Sequence, residues 1–262
     1  MRPARLTPTR LAVVLVAHGS RDPRASAATR ALTRAVALAR PDWDVRDSYL
    51  DHSLPRPAQV LTGCAQSHAV LVPLLLTNAY HGRVDVPGEV AAARAAGAQL
   101  EVAVSDVLGP VSPLLIDGLI RRLSAATGLA GTGLGGAGLG GAGLDAVVLA
   151  AAGTRDGAAR STVEEVAAAL GARLGLPAAV AYASAAPPTA EQAVAGLRAA
   201  GAERVGVAAY FLAPGLLYDT AVDSARAAGA VAVAAPLSDA PELVRLVESR
   251  VSAAAGLRRL AA

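Results

Sequence analysis

The same succession of elements can be read twice in this chain, once on each side of a glycine tract. Residues 128–144 run Gly-Leu-Ala-Gly-Thr-Gly-Leu-Gly-Gly-Ala-Gly-Leu-Gly-Gly-Ala-Gly-Leu, a composition that holds no helix cheaply and behaves as a flexible tether. Before the tract, apolar runs at about 11–17, 44–50, 69–76 and 100–106 alternate with alanine-rich helical patterns at about 23–39, 55–67, 87–97 and 111–126. After it, runs near 145–151, 178–183, 204–212 and 230–235 alternate with helical patterns near 158–174, 188–200, 219–228 and 240–255. Short apolar strands separated by helices leave few architectures open, because parallel strands need long crossovers and bury both faces under helices. The expectation is an α/β fold of two tandem similar domains, each a parallel sheet flanked by helices, facing one another across a cleft. Residues 1–127 form the first domain, 128–144 the linker and 145–262 the second.

Composition narrows the function classes. Apolar residues make up 53% of the 262, enough for sizeable cores, and aromatics only 3%, so small side chains do much of the packing. Every basic residue is arginine, yet the net charge is only +3, which is no nucleic-acid signature. Cys64 stands alone, excluding an intramolecular disulfide or a thiolate cluster and suiting a reducing cytoplasm. The run Leu11–Ala17 gives way to His-Gly-Ser-Arg-Asp and reads as a first strand rather than a signal peptide, and no run reaches membrane-spanning length. The glycine tract lacks any Gly-Lys-Ser/Thr, so it is no phosphate loop, and no Gly-x-Ser-x-Gly elbow supports a hydrolase.

Four histidines occur, and two of them, His18 and His81, each precede a glycine at the end of an apolar run. Matching strand-to-loop junctions would set both imidazoles at one mouth of a parallel sheet, where such folds keep their sites. Imidazole serves there as a metal ligand of moderate strength and as a base near neutral pH. His52 and His68 lack this framing, and His68 falls in a helix-like segment. Aligning residues 17–22 with 151–156 puts Ala152 at the place of His18, and aligning Leu74-Leu-Leu76 with Tyr210-Phe-Leu212 puts Leu217 at that of His81. Asp51 falls roughly opposite Ser184. The second half therefore reads as chemically degenerate.

The segments His-Gly-Ser-Arg-Asp-Pro-Arg at 18–24 and Pro-Leu-Leu-Leu-Thr-Asn-Ala-Tyr-His-Gly-Arg-Val-Asp-Val-Pro at 73–87 resemble the sirohydrochlorin chelatases, the class II chelatases. The likeness is strong over 11–125 and weaker from 145 onward. It implies ATP-independent insertion of Fe²⁺ or Co²⁺ into sirohydrochlorin, for sirohaem or cobalamin synthesis, with the ion as substrate and no permanently bound cofactor. It gives His18 and His81 the metal and proton chemistry. Asp51, where the family usually carries a glutamate, is left to complete the metal site, steer the ion or take a pyrrole proton, or else to serve as an acidic loop residue or cap. Ser20, Arg21 and Arg24, at the start of a helix whose N–H groups favour anions, are candidates for the substrate carboxylates. Asn78 and Arg83 could bind the same groups from the other loop. Gly19 and Gly82 allow close backbone approach, and Tyr80 packs on the ring or fills the loop's base; Pro87 reads as the first residue of a helix, with Asp85 near its cap or serving as a ligand or proton relay. The partners expected are the tetrapyrrole and a divalent ion, with handover to neighbouring pathway enzymes and neither nucleic acid nor membrane. A duplicated chain completing its own cleft is expected to be a monomer with an intrachain pseudo-twofold. The alternative is a non-catalytic metal or tetrapyrrole carrier on the same fold.

Overall fold

The computed structural model describes residues 10–77, 85–128 and 143–259. The first half runs β1 (Leu11–Ala17), α1 (Pro23–Ala39), β2 (Trp43–Tyr49), α2 (Pro57–Thr62), β3 (His68–Pro73), α3 (Val86–Ala95), β4 (Glu101–Val104) and α4 (Pro113–Ala126). The second runs β5 (Ala146–Ala151), α5 (Gly157–Leu174), β6 (Ala178–Tyr182), α6 (Ala190–Ala199), β7 (Val205–Tyr210), α7 (Leu216–Ala227), β8 (Ala232–Val233) and α8 (Pro241–Arg259). Each half holds one parallel four-stranded sheet, ordered β2-β1-β3-β4 and β6-β5-β7-β8. The duplicated α/β reading thus holds at the level of elements.

Local chemistry explains the boundaries. Asp22 caps α1 by accepting from the Arg24 N–H at 2.9 Å, with Pro23 preset at the first helical position. Asp156 does the same for α5 toward Ala158 and Ala159, and Gly175, in a left-handed conformation, ends that helix. Strands β1 and β5 are apolar throughout and sit at the centres of their sheets. Edge strand β2 is instead buried only at its ends, by Trp43, Ser48 and Tyr49, while Asp44 and Arg46 pair at 2.7 Å in its half-buried middle, and charges on an edge discourage further strand addition. His68 opens β3 rather than lying in a helix, because its neighbours Ala69, Val70, Leu71 and Val72 form a continuous buried run. Its ring lies 3.6 Å from Glu101, at the sheet end opposite His18.

The sheets do not keep their own last helices. One face of the first sheet is covered by α2 and α3 over Ala12, Val14, Val16 and Leu71. The other is covered by α1 together with α8 from the far end of the chain. Reciprocally, α4 leaves the first half and packs with α5 on the second sheet, its Leu123 lying against Gly206 of β7. A single core therefore joins Val13, Leu15, Val70 and Val72 to Leu119, Leu123, Val147 and Val207. Leu115, Leu119 and Leu123, spaced by four and fully buried, contribute about 1.5–3 kcal/mol each to this exchange. The Arg121–Glu242 pair at 2.8 Å adds direction, with the Glu242 side chain buried and the arginine exposed. No helix among the described residues is long and apolar enough to cross a membrane.

Candidate functional site

The C-terminal ends of the parallel strands carry the chemistry-bearing loops. His18 follows β1 directly and is exposed. The loop after β2 is laced to it: the Asp51 N–H donates to the His18 carbonyl at 2.8 Å, and Leu50 N–H to that of Ala17 at 2.9 Å. This close approach requires Gly19, whose φ is +93° and where a Cβ would stand 1.8 Å from the Asp51 carbonyl oxygen. The second half repeats the lacing, Ser184 N–H donating to the Ala152 carbonyl at 3.1 Å, with a Cβ on Gly153 (φ +92°) falling 1.9 Å from the Ser184 oxygen. Ala152 and Ser184 thus occupy the places of His18 and Asp51. Leu217 lies in the first turn of α7.

Asp51 folds back on its chain neighbour. One carboxylate oxygen accepts from the His52 N–H at 2.8 Å and the other lies 3.5 Å from His52 Nε2. That N–H bond, and then the positive charge of nearby His52, Arg56 and His18, hold the Asp51 carboxyl below its ordinary value. His52 lies edge-on to His18, ring centroids 6.5 Å apart. The sequence had offered no framing for His52, and the available signal was its place one residue beyond Asp51 at a strand-to-loop junction. Among the described residues, no three His, Cys, Asp or Glu side chains already lie at ligand spacing.

The remaining candidates are distributed unevenly. Ser20 accepts from the Asp22 N–H at 3.0 Å, so its hydroxyl shapes the turn into α1. Arg21 is exposed. Arg24, expected to meet ligand carboxylates, meets two protein carboxylates, Asp22 and Asp219, each at 2.6 Å. The N-terminus of α1 is already capped by Asp22, which takes the position expected for an anion. Asp85 stands at the N-cap position of α3 without a side-chain capping bond, and Pro87 is the second helical residue rather than the first. Asn78, Tyr80, His81, Gly82 and Arg83 lie outside the described residues.

Two adjoining pockets open at this end, both lined from the two halves. The smaller, about 150 Å³, runs from Ala17, His18 and Gly19 past Ser26 and Thr29 of α1 to Leu212, Ala213 and Ser238. The larger, about 240 Å³, lies between Leu74–Thr77 and the ends of β5 and β7, with Thr154 and Tyr182 on its wall. Leu74 and Leu212 border both. Between the halves, the Tyr210 hydroxyl lies 3.0 Å from each of the Leu76 and Pro110 carbonyl oxygens, and burial pushes its ionisation well above the ordinary tyrosine value.

Fold and sequence together define a duplicated α/β protein of two parallel sheets in which His18 and Asp51 stand where the second half has Ala152 and Ser184. The CbiX family model matches residues 12–126 and again 146–254, so the chain belongs to the CbiX family, the class II chelatase family that its two loops resemble. The solved structure described as SirB from Bacillus subtilis with Fe³⁺ has a TM-score of 0.75 and 20% identity, covering 95% of this chain and 97% of that one. SirB from Bacillus subtilis subspecies spizizenii in complex with cobalt follows at 0.71 and 19%, covering 94% and 95%. CbiX, described as the terminal enzyme for siroheme biosynthesis in denitrifying bacteria, gives 0.63 and 19%, covering 94% and 99%. At these identities the likeness to the solved structures is one of fold. No curated protein matches the chain.

Proposed function

We propose that this protein inserts a divalent ion, Fe²⁺ or Co²⁺, into sirohydrochlorin without ATP, at the first half's strand-to-loop mouth. The observation that carries the reading is the asymmetry of an otherwise repeated site: His18 and Asp51 are laced together where the second half sets Ala152 and Ser184 in the same geometry. A methyl group neither ligates a metal nor accepts a proton. Support for the substrate comes from family membership and from relatives described with iron, with cobalt and in siroheme biosynthesis.

In this reading insertion exchanges two pyrrole N–H protons for one M²⁺. His18 is a ligand that holds and then surrenders the ion, and a base for a leaving proton. His81 is assigned the partner role on the sequence alone. Asp51, anionic at neutral pH, favours a cation beside His18. Of the arginines first considered for the substrate carboxylates, Arg21 and Arg83 stay as candidates with Asn78. Arg24, spanning Asp22 of one half and Asp219 of the other, is assigned to holding the mouth in shape. The second half acts as a wall that helps orient the macrocycle and exclude water.

Anaerobic incubation with sirohydrochlorin and either Fe²⁺ or Co²⁺, followed by the absorbance change of the macrocycle, tests the activity and separates the metals. His18→Ala is expected to lower insertion by at least about a hundredfold with the fold intact, as general-base losses typically do. A carrier would bind both components through the same residues without accelerating insertion. Absence of turnover above the spontaneous reaction would therefore favour that reading.

A further inference from the structure

Two consecutive residues of the β2–α2 loop differ in chemistry between halves whose backbone hydrogen bonding there is the same. Asp51 corresponds to Ser184 and His52 to Ala185, and both second residues adopt the left-handed conformation, at φ +57° and +66°. The fold thus requires a backbone of this shape after β2 and β6, and Ala185 meets the requirement with a methyl group. The imidazole of His52 is unexplained by folding. It occurs only in the half that carries His18, its ring centroid 6.5 Å from that of His18.

We propose that His52 is a ligand of the incoming ion, forming with His18 a two-imidazole receiving site for a borderline divalent cation. The assignment rests on the proposed chelatase reading for the ion's fate, not for its binding. Metal–nitrogen bonds of about 2.1 Å put each ring centroid about 3.2 Å from a shared ion, so two ligating rings sit roughly 5–6.5 Å apart. The observed 6.5 Å is the separation of two ligands on opposite sides of an ion, and the adjacent positions of a tetrahedral site, about 5 Å apart, are reached by rotating the exposed His52 ring toward His18. Asp51 braces the arrangement. Its carboxylate accepts from the His52 backbone N–H at 2.8 Å, which fixes it beside the ring, and its other oxygen lies 3.5 Å from Nε2, which puts negative charge next to the two imidazoles and favours a cation there. The second half, with Ser184 and Ala185, has no such group at this place.

The test titrates Co²⁺ alone into the full chain under anaerobic conditions and follows the ligand-field absorbance. His52→Ala and His18→Ala should each weaken Co²⁺ by at least about tenfold and alter the spectrum, whereas His68→Ala, at the far end of the sheet, should change neither. Ala185 shows that alanine is accommodated at this φ, and His52→Asn, a residue tolerant of left-handed backbone, serves as a second variant. With sirohydrochlorin present, His52→Ala should raise the KM for metal by more than it lowers kcat. Unchanged Co²⁺ affinity and spectrum in both His52 variants overturns the assignment, even where the wild type inserts metal. His52-dependent Co²⁺ binding without any insertion sustains the assignment and removes the chelatase reading instead.

Discussion

At the residue scale, the proposed chemistry depends on which groups are charged. Asp51 is held below its ordinary value by the His52 N–H and by neighbouring positive charge, so it stays a carboxylate throughout mildly acid solution. A depressed pKa is lost as a charge only when pH falls below the usual carboxylate range. On the protein's side, a loss of activity between about pH 7 and 6 is therefore assigned to imidazole, the side chain whose reference pKa lies near 6.5. Insertion, corrected for the spontaneous reaction, is expected to fall across that interval, and an activity that holds constant down to about pH 5 would take imidazole out of the mechanism.

At the element scale, two glycines set how closely the loops approach. Gly19 and Gly153 share a positive φ near 92° and both would drive a Cβ into the carbonyl of the next strand's loop. Alanine at either place should cost at least about 2 kcal/mol, since a disfavoured backbone conformation and a backbone clash add. The consequence for chemistry should differ. Gly19→Ala pushes away the loop bearing Asp51 and His52, and so should weaken Co²⁺ binding, whereas Gly153→Ala displaces only Ser184 and Ala185. Denaturant unfolding together with Co²⁺ titration checks both, and equal losses of metal affinity would refute an asymmetric site.

For the whole molecule, the exchange of α4 and α8 makes the halves interdependent. A chain ending at Gly128 would lose α8 from over Val13, Leu15, Val70 and Val72, and would leave Leu115, Leu119 and Leu123 of α4 without a sheet. Apolar faces of that size do not stay open to water. Two such chains could lend each other α4, reproducing between chains the helix exchange seen within the full molecule. Size-exclusion chromatography with light scattering should show a dimer or aggregate, and a stable monomer would mean that the first half covers its own core. The full chain should bind one catalytic metal, not two.

How much of this was legible in the sequence follows from the range of the forces involved. Periodicity, caps and turn residues act over a few positions, so β1 and α1 stand where the pattern of apolar residues, Asp22 and Pro23 place them. The asymmetry of His18 against Ala152 was readable because a duplication carries its own comparison. What sequence distance hid was partnership. Nothing local tells α4 to leave its own half, because its buried stripe of leucines fits either sheet and only the joint packing of both halves selects one. Arg24 read as a candidate for the substrate carboxylates at a helix start, but a carboxylate far along the chain, Asp219, stands 2.6 Å from it. His52 had no framing in the sequence, and only the lacing of Asp51 to His18 brings the two rings together. Local chemistry thus determined the elements and which half carries His18 and Asp51, and tertiary packing decided which side chains meet, because only long-range contacts choose among faces that are locally equivalent.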